Sequence, residues 1–174
     1  MKMMNAVKIL SLSLLLLFAQ VEMFAQETIK SPKATAEGKN VKVMYGQPSK
    51  RGRVIFGELV PYDKVWRAGA NEATEITFNT NVEIDHKEVK AGVYSLFVIP
   101  QKDKWAIILN SSIGLWGAYE YEKIKSKDVL STDVPVKKIS SQEKLTYSFK
   151  DSKNGTVLTI AWDEVEVELP IKFK

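Results

Sequence analysis

Along most of the chain, apolar and polar residues alternate with the period of two that is typical of β-strands. The segments 40–45, 74–78, 144–149 and 164–169 each carry apolar side chains at every second position. In the last segment, valine or leucine alternates with glutamate throughout. Such alternation indicates strands that have one buried face and one solvated face. Half-buried strands are therefore predicted at these places.

Two further runs, 93–99 and 105–109, are apolar at nearly every position, which favours central strands that are covered on both faces. The polar residues 100–104 between them predict a hairpin. Similar hairpin tips are predicted at 85–87 and at Asn154-Gly155, because an Asn-Gly pair is a strong signal for a two-residue turn.

The remaining elements complete a mainly β pattern. Segment 119–129 contains good helix formers and predicts one short helix across one end of the domain. Asp163 is expected to turn the chain before the final strand, and segment 26–37 is expected to be partly mobile. The pattern has about nine or ten short strands, which favours a two-sheet β-sandwich or jelly-roll-like fold. At 174 residues, the chain is long enough for one well-packed domain.

Residues 1–25 have the features of an export signal. Lys2 and Lys8 provide a positive start, 9–19 form the apolar run, and Ala25 precedes a plausible cleavage point. The apolar run is shorter than the roughly 20 residues that span a bilayer. We therefore expect a signal peptide at 1–25, one domain at 26–174, and export to the periplasm or the cell exterior. No transmembrane segment is expected after cleavage.

Composition and charge exclude several classes of function. The 25 basic and 21 acidic residues are mixed along the chain, unlike the clustered basic stripe of a nucleic-acid-binding protein. No cysteine is present, so disulfides are not expected, and His86 is the only histidine. One histidine cannot form a zinc site of the usual His/Cys kind, and no nucleotide-binding signature occurs. The sequence therefore predicts no metal, no cofactor and no nucleic-acid partner.

The richest mixture of chemical groups lies in segment 51–74, and above all in 66–74. If the alternation of the 74–78 strand is extended backwards, Glu72 falls on the interior face. A buried carboxylate needs a partner, and three arginines are available nearby: Arg51, Arg53 and Arg67. Two interpretations follow. An arginine–Glu72 clamp could hold the loop, or Glu72 could be the floor of a ligand pocket or a catalytic acid.

The other candidate ligand-binding residues are aromatic, amide or hydroxyl side chains in this segment or after the second central strand: Tyr62, Trp66, Asn71, Thr74, Asn110 and Trp116. Asn71 is expected to lie in a turn. Trp66 either caps the core or forms a stacking platform. Trp116, which lies between two glycines, is expected to be a buried anchor or to cover the same end as Trp66.

Several of these segments carry a family resemblance. The matching stretches are RGRVIFGELVPY at 51–62, WRAGANEAT at 66–74, AGVYSL at 91–96 and WGAYEY at 116–121. In these residues the chain resembles the DUF2911 family. The resemblance implies an exported, single-domain protein and does not specify an activity.

Three functions are consistent with these observations. The first is a non-catalytic envelope module that binds a small polar or carbohydrate-like ligand through the loop. The second is a hydrolase or isomerase in which Glu72 is the general acid or base and Arg67 is its charge partner. The third is a structural or protein-interaction module in which segment 51–74 is a folding clamp. The sequence slightly favours the first.

Overall fold

The structure is a computed structural model that describes residues 31–174, and the predicted signal peptide lies outside the described residues. A short helix, α1 (Tyr121–Ile124), continues into one 3-10 turn at Lys125–Lys127. The strands in chain order are β1 (Lys33–Gly38), β2 (Val41–Gly46), β3 (Thr74–Phe78), β4 (Val82–Ile84), β5 (Lys87–Val89), β6 (Gly92–Pro100), β7 (Lys104–Asn110), β8 (Asp128–Asp151) and β9 (Gly155–Phe173).

The strands form one hydrogen-bonded order, β1-β2-β3-β6-β7-β8-β9-β4-β5, in which the neighbours are antiparallel. A mainly β fold with one short helix is therefore confirmed. The division into two separate sheets stays a prediction, because β8 pairs with β7 through its first part and with β9 through the rest.

β8 and β9 are much longer than the sequence pattern predicts. The expected turn at Asp163 is wrong, since β9 runs through this residue. Asp163 instead has a positive φ of 54°, and the β8–β9 register shifts between Lys138 and Gln142 and again between Gln142 and Thr146. Irregular pairing of this kind bends a hairpin without ending it. The turn between β8 and β9 contacts the C-terminal end of β9, since Phe173 N–H donates to Asn154 O at 2.9 Å.

The central strands β6 and β7 are buried on both faces, as predicted. Leu96 and Ile107 belong to the main core. Phe97 and Ile108 face the opposite way and form a smaller cluster with Tyr121 of α1. The Phe97 and Tyr121 rings lie 5.2 Å apart in an edge-to-face arrangement. The helix is thus shorter than predicted and covers the outer face of these strands.

β1 is the first strand of the order and pairs with β2 from Lys33 to Gly38. Residues 33–37 of the segment expected to be partly mobile thus lie in a paired strand. β1 also contacts the far end of β8, since Lys39 N–H donates to Asp151 Oδ2 at 2.9 Å. A side chain at Gly38 would overlap the Phe149 ring, so the close approach of these strands requires glycine there.

Candidate functional site

The long loop between β2 and β3 is fixed to the sheet by its own backbone. Trp66 and Val98 exchange two hydrogen bonds, at 2.7 and 2.9 Å. Ala70 N–H donates to Gly46 O at 3.1 Å, and Thr74 N–H donates to Arg67 O at 3.1 Å. The loop also contains residues with positive φ, including Ala68 at 53° and Asn71 at 63°. Its conformation is therefore held by tertiary contacts.

Trp66 packs against the core and does not form a stacking platform. Its ring stacks on Trp162 at a centroid distance of 6.0 Å and lies edge-on to Phe56 and Trp105. Its Nε1–H donates to Gly69 O at 3.2 Å. Tyr62 is half-buried, with its ring 3.0 Å from the position that a Cβ on Gly57 would take. Trp66 was expected either to cap the core or to form a stacking platform, and it caps the core.

Thr74 anchors the end of the loop from inside. The Thr74 hydroxyl and the Tyr147 hydroxyl both donate to Ala68 O, at 3.0 and 2.6 Å. All three residues are buried, and burial raises the pKa of Tyr147. Thr74 thus stabilises the loop and is not available to a ligand in solution.

Asn110 is another buried anchor. Its Nδ2 donates to Ile124 O at 2.9 Å and to Asp128 Oδ1 at 2.6 Å, while its Oδ1 accepts Ser112 N–H at 2.8 Å. Its exposed fraction is 0%. Asn110 therefore ties the loop after β7 to the segment that leads into β8.

Arg51 and Arg53 lie in a different contact region from Glu72. Arg51 N–H donates to Glu143 Oε1 at 2.9 Å. The Arg53 guanidinium donates to two backbone oxygens, those of Ser49 and Lys50, at 2.7 and 3.0 Å. Both arginines are exposed, and both make contacts near the bend of β8.

The position predicted for Glu72 is wrong. Its side chain is 44% exposed, and Oε1 pairs with Lys33 Nζ at 2.9 Å. The pKa of Glu72 is lowered by this hydrogen bond and by its own backbone N–H. The predicted Arg67–Glu72 clamp is not formed within residues 31–174. Glu72 lies outside β3, which begins at Thr74, and pairs with Trp116 instead, so the alternation of β3 does not extend to it.

Segments 71–73 and 115–117 form a short antiparallel ladder beside β3. Ala73 N–H donates to Leu115 O at 2.9 Å, and Gly117 N–H donates to Asn71 O at 3.1 Å. Glu72 and Trp116 lie directly opposite each other. Opposed residues of an antiparallel pair project from the same face. Trp116 is 63% exposed, so the expectation of a buried anchor is wrong.

A groove of about 380 Å³ opens at this ladder, and we refer to it as the Glu72 groove. The residues that give it its chemistry are Lys33 and Thr35 of β1, Met44 and Tyr45 of β2, Glu72, and Glu75 of β3. Glu75 Oε1 accepts Gly114 N–H at 2.9 Å, which holds the 111–117 loop against the sheet. The sequence reasoning missed Lys33 and Met44 as site residues. Their outward-facing positions on β1 and β2 were the available signal.

A wider cleft of about 840 Å³ lies between the β4–β5 turn, the first part and the end of β8, and the two ends of β9. His86 is exposed at that turn, as predicted, and Asp85 Oδ2 accepts the Thr132 hydroxyl at 2.8 Å. Lys137 and Glu168, which line the cleft, pair with each other at 2.5 Å. The 66–74 segment does not contribute to this cleft.

Within the described residues, no group of three or more histidine and carboxylate side chains is placed to hold a metal ion. In the same part of the chain, no helix has the length and apolar character needed to cross a membrane.

The fold and the groove define a mainly β domain with a partly charged groove on the outer face of its first strands. The family model of DUF2911, a protein of unknown function, matches residues 27–171. The chain therefore belongs to the DUF2911 family, and the resemblance noted in the sequence is confirmed. No match was found among curated proteins or among solved structures.

Proposed function

We propose that this protein is an exported, non-catalytic binding module, and that the Glu72 groove holds a small polar or carbohydrate-like ligand. The observation that carries the proposal is the combination of three charged side chains, Lys33, Glu72 and Glu75, with the exposed apolar side chain of Met44 in one groove. Its volume of about 380 Å³ is within the range of small-molecule sites, roughly 300–1,000 Å³.

The groove offers the contacts that a sugar-like molecule uses. The carboxylates of Glu72 and Glu75 accept hydrogen bonds from hydroxyl groups, and Lys33 Nζ donates them. The exposed Trp116 follows Leu115, which lines the groove, and its backbone pairs with Glu72. Met44, which is 43% exposed, forms an apolar part of the groove surface. A ring with one polar edge and one apolar face matches this arrangement.

The hydrolase alternative gains one feature from the structure, because Glu72 and Glu75 line the same groove. Glycoside hydrolysis needs one of two carboxyl groups to be protonated near neutral pH. Lys33 lowers the pKa of Glu72, which keeps it ionised and unable to act as the acid. Glu75 already accepts a backbone N–H of the 111–117 loop. These contacts favour binding over catalysis.

The clamp alternative is weakened by the exposure of the only ion pair that Glu72 makes within residues 31–174. The Lys33 and Glu72 side chains are 78% and 44% exposed. Solvent screens such pairs, so they contribute little to stability. The Glu72 carboxylate is therefore better suited to contact with a ligand than to holding the loop.

The test is ligand-dependent thermal unfolding of the full chain with a panel of neutral sugars, polyols and amino acids. A ligand at 100 times its dissociation constant raises the free energy of unfolding by about 2.7 kcal/mol. We expect one ligand class to do so, and we expect Glu72→Gln and Trp116→Ala to remove the effect. Glu122→Gln is the matched control, since it breaks another exposed lysine–glutamate pair, on α1.

Two outcomes would reject the proposal. In the first, no compound on the panel shifts the unfolding transition. In the second, a shift is retained in both Glu72→Gln and Trp116→Ala, which would place the ligand elsewhere. Turnover of a bound sugar that is lost in Glu72→Gln would instead establish the hydrolase alternative.

A further inference from the structure

The Arg67 side chain is partly buried and lacks a partner. Its Nε is buried and has no hydrogen-bond partner among the described residues. The guanidinium also forms no ion pair within residues 31–174. Only the backbone of Arg67 is engaged, through its carbonyl oxygen, which accepts Thr74 N–H.

An arrangement of this kind is unfavourable in the free protein. A guanidinium that has lost part of its water shell is stabilised by an opposite charge or by acceptors for its N–H groups. The carboxylates of the surrounding loops are already engaged. Glu72 pairs with Lys33, Glu120 pairs with Lys123 at 2.6 Å, and Glu75 accepts Gly114 N–H.

The surroundings of Arg67 leave its outer nitrogens accessible. Gly117 has a φ of 69°, and a Cβ at this residue would lie 3.4 Å from Arg67 Nη1 and 2.7 Å from the Tyr119 ring. The guanidinium and the ring therefore both lie against bare glycine backbone. Tyr119 is 77% exposed, so this small site opens to solvent. A larger residue at Gly117 would close it.

We propose that Arg67 binds an oxyanion of the ligand, with Gly117 and Tyr119 forming the walls of the subsite. A guanidinium fork pairs with two oxygens of a carboxylate, sulfate or phosphate group. Gly117 directly follows Trp116, whose backbone pairs with Glu72, so the subsite and the Glu72 groove share the 115–117 segment. A single ligand that reaches both would be an acidic sugar or a similar polyhydroxy acid. This last step rests on the proposed function, whereas oxyanion binding at Arg67 does not.

The first experiment measures unfolding of the full chain against sodium sulfate, phosphate and acetate, with ionic strength held constant by sodium chloride. Sulfate and phosphate stabilise most proteins without binding a site, so the informative quantity is the difference between variants. Arg67→Met removes the fork and keeps an apolar stem. Lys64→Gln is the control, because it removes one exposed positive charge three residues away.

We expect a saturable rise in melting temperature in the wild type and in Lys64→Gln, and only the shallow general salt effect in Arg67→Met. Equal curves in all three proteins would overturn the proposal. If Arg67→Met does not fold, Arg67→Lys serves in its place, since lysine keeps the charge and loses the fork. Full retention of the saturable effect in Arg67→Lys would likewise overturn the bidentate site.

The second experiment compares the binding of glucuronate, glucose 6-sulfate and glucose 6-phosphate with that of glucose. The comparison shows whether the site prefers a carboxylate, a sulfate or a phosphate group. Loss of a charged hydrogen bond weakens binding by roughly tenfold or more. We expect at least one acidic sugar to bind that much more tightly than glucose, and Arg67→Met to abolish the preference. If glucose and all acidic sugars bind equally, the inference fails and the proposed function stands. If no sugar binds but saturable sulfate binding depends on Arg67, the proposed function fails and the oxyanion site stands.

Discussion

The buried hydroxyl groups of Thr74 and Tyr147 allow a direct test of which hydrogen bonds stabilise the 66–74 segment. Thr74 and Tyr147 both donate to Ala68 O, at 3.0 and 2.6 Å, and their exposed fractions are 0% and 4%. In Thr74→Val or Tyr147→Phe alone, the carbonyl keeps one donor and the protein loses one hydrogen bond. Each single change is expected to lower the free energy of unfolding by about 1 kcal/mol.

The double variant Thr74→Val/Tyr147→Phe is expected to lose more free energy of unfolding than the two single variants lose together. With both hydroxyls gone, the buried carbonyl of Ala68 has no side-chain donor, which costs about 1–3 kcal/mol beyond the two bonds. The total, roughly 3–5 kcal/mol, corresponds to a fall in melting temperature of about 6–20 °C, at about 2–4 °C per kcal/mol for a protein of this size.

Urea denaturation measures all four proteins, and the slope with denaturant is expected to stay constant. Tyr119→Phe is the matched control, because it removes the hydroxyl of a residue that is 77% exposed. If the two single losses add to within about 0.5 kcal/mol of the double loss, the carbonyl is not a shared acceptor and the reasoning is refuted.

Three further predictions concern the other contacts of the site. Asn110→Ala removes three hydrogen bonds from a fully buried residue and should lower the free energy of unfolding by about 2–4 kcal/mol, as measured in urea; a loss below about 1 kcal/mol would contradict its role as an anchor. Gly46→Ala would bring its Cβ into the carbonyl of Ala70 and should lower the melting temperature far more than Gly52→Ala, where a Cβ meets open space and only the φ of 69° is unfavourable for alanine; equal effects would show that the loop moves aside and that no clash forms at Gly46. For Glu72, Lys33 lowers the folded pKa below the usual 4.5, so the stabilisation is present above that value and is lost as pH falls through the folded pKa. Wild type should therefore lose more stability than Glu72→Gln between about pH 5 and pH 3, and parallel melting curves would argue against the pair.

Most strand positions follow from the sequence because they depend on local alternation. β2, β3, β6 and β7 lie within one residue of their predicted ends, since each buries a regular set of apolar side chains. The length of β8 could not be predicted in the same way. Its first half contains Pro135 and several exposed polar residues, and it is a strand because β7 pairs with it.

The candidate site was less predictable because it depends on long-range contacts. Glu72 faces solvent because it lies outside β3, in the ladder with 115–117, which joins segments more than forty positions apart. The exposure of Trp116 follows from the same ladder. No periodicity in either segment encodes this pairing. By contrast, the variety of polar groups in 66–74 did identify a segment that borders the groove.

β1 is an edge strand, and this has a thermodynamic consequence for the groove. Lys33 and Thr35 form one wall, yet the strand that carries them is hydrogen-bonded along its length to β2 alone within the described residues. Edge strands open locally more readily than central ones. A ligand that bridges Lys33 and Glu72 binds only while β1 is docked, so its apparent affinity is the intrinsic affinity multiplied by the docked fraction. Occupancy of the groove should then slow amide hydrogen exchange in β1 and leave β6 and β7 unchanged, which makes this strand the reporter of binding.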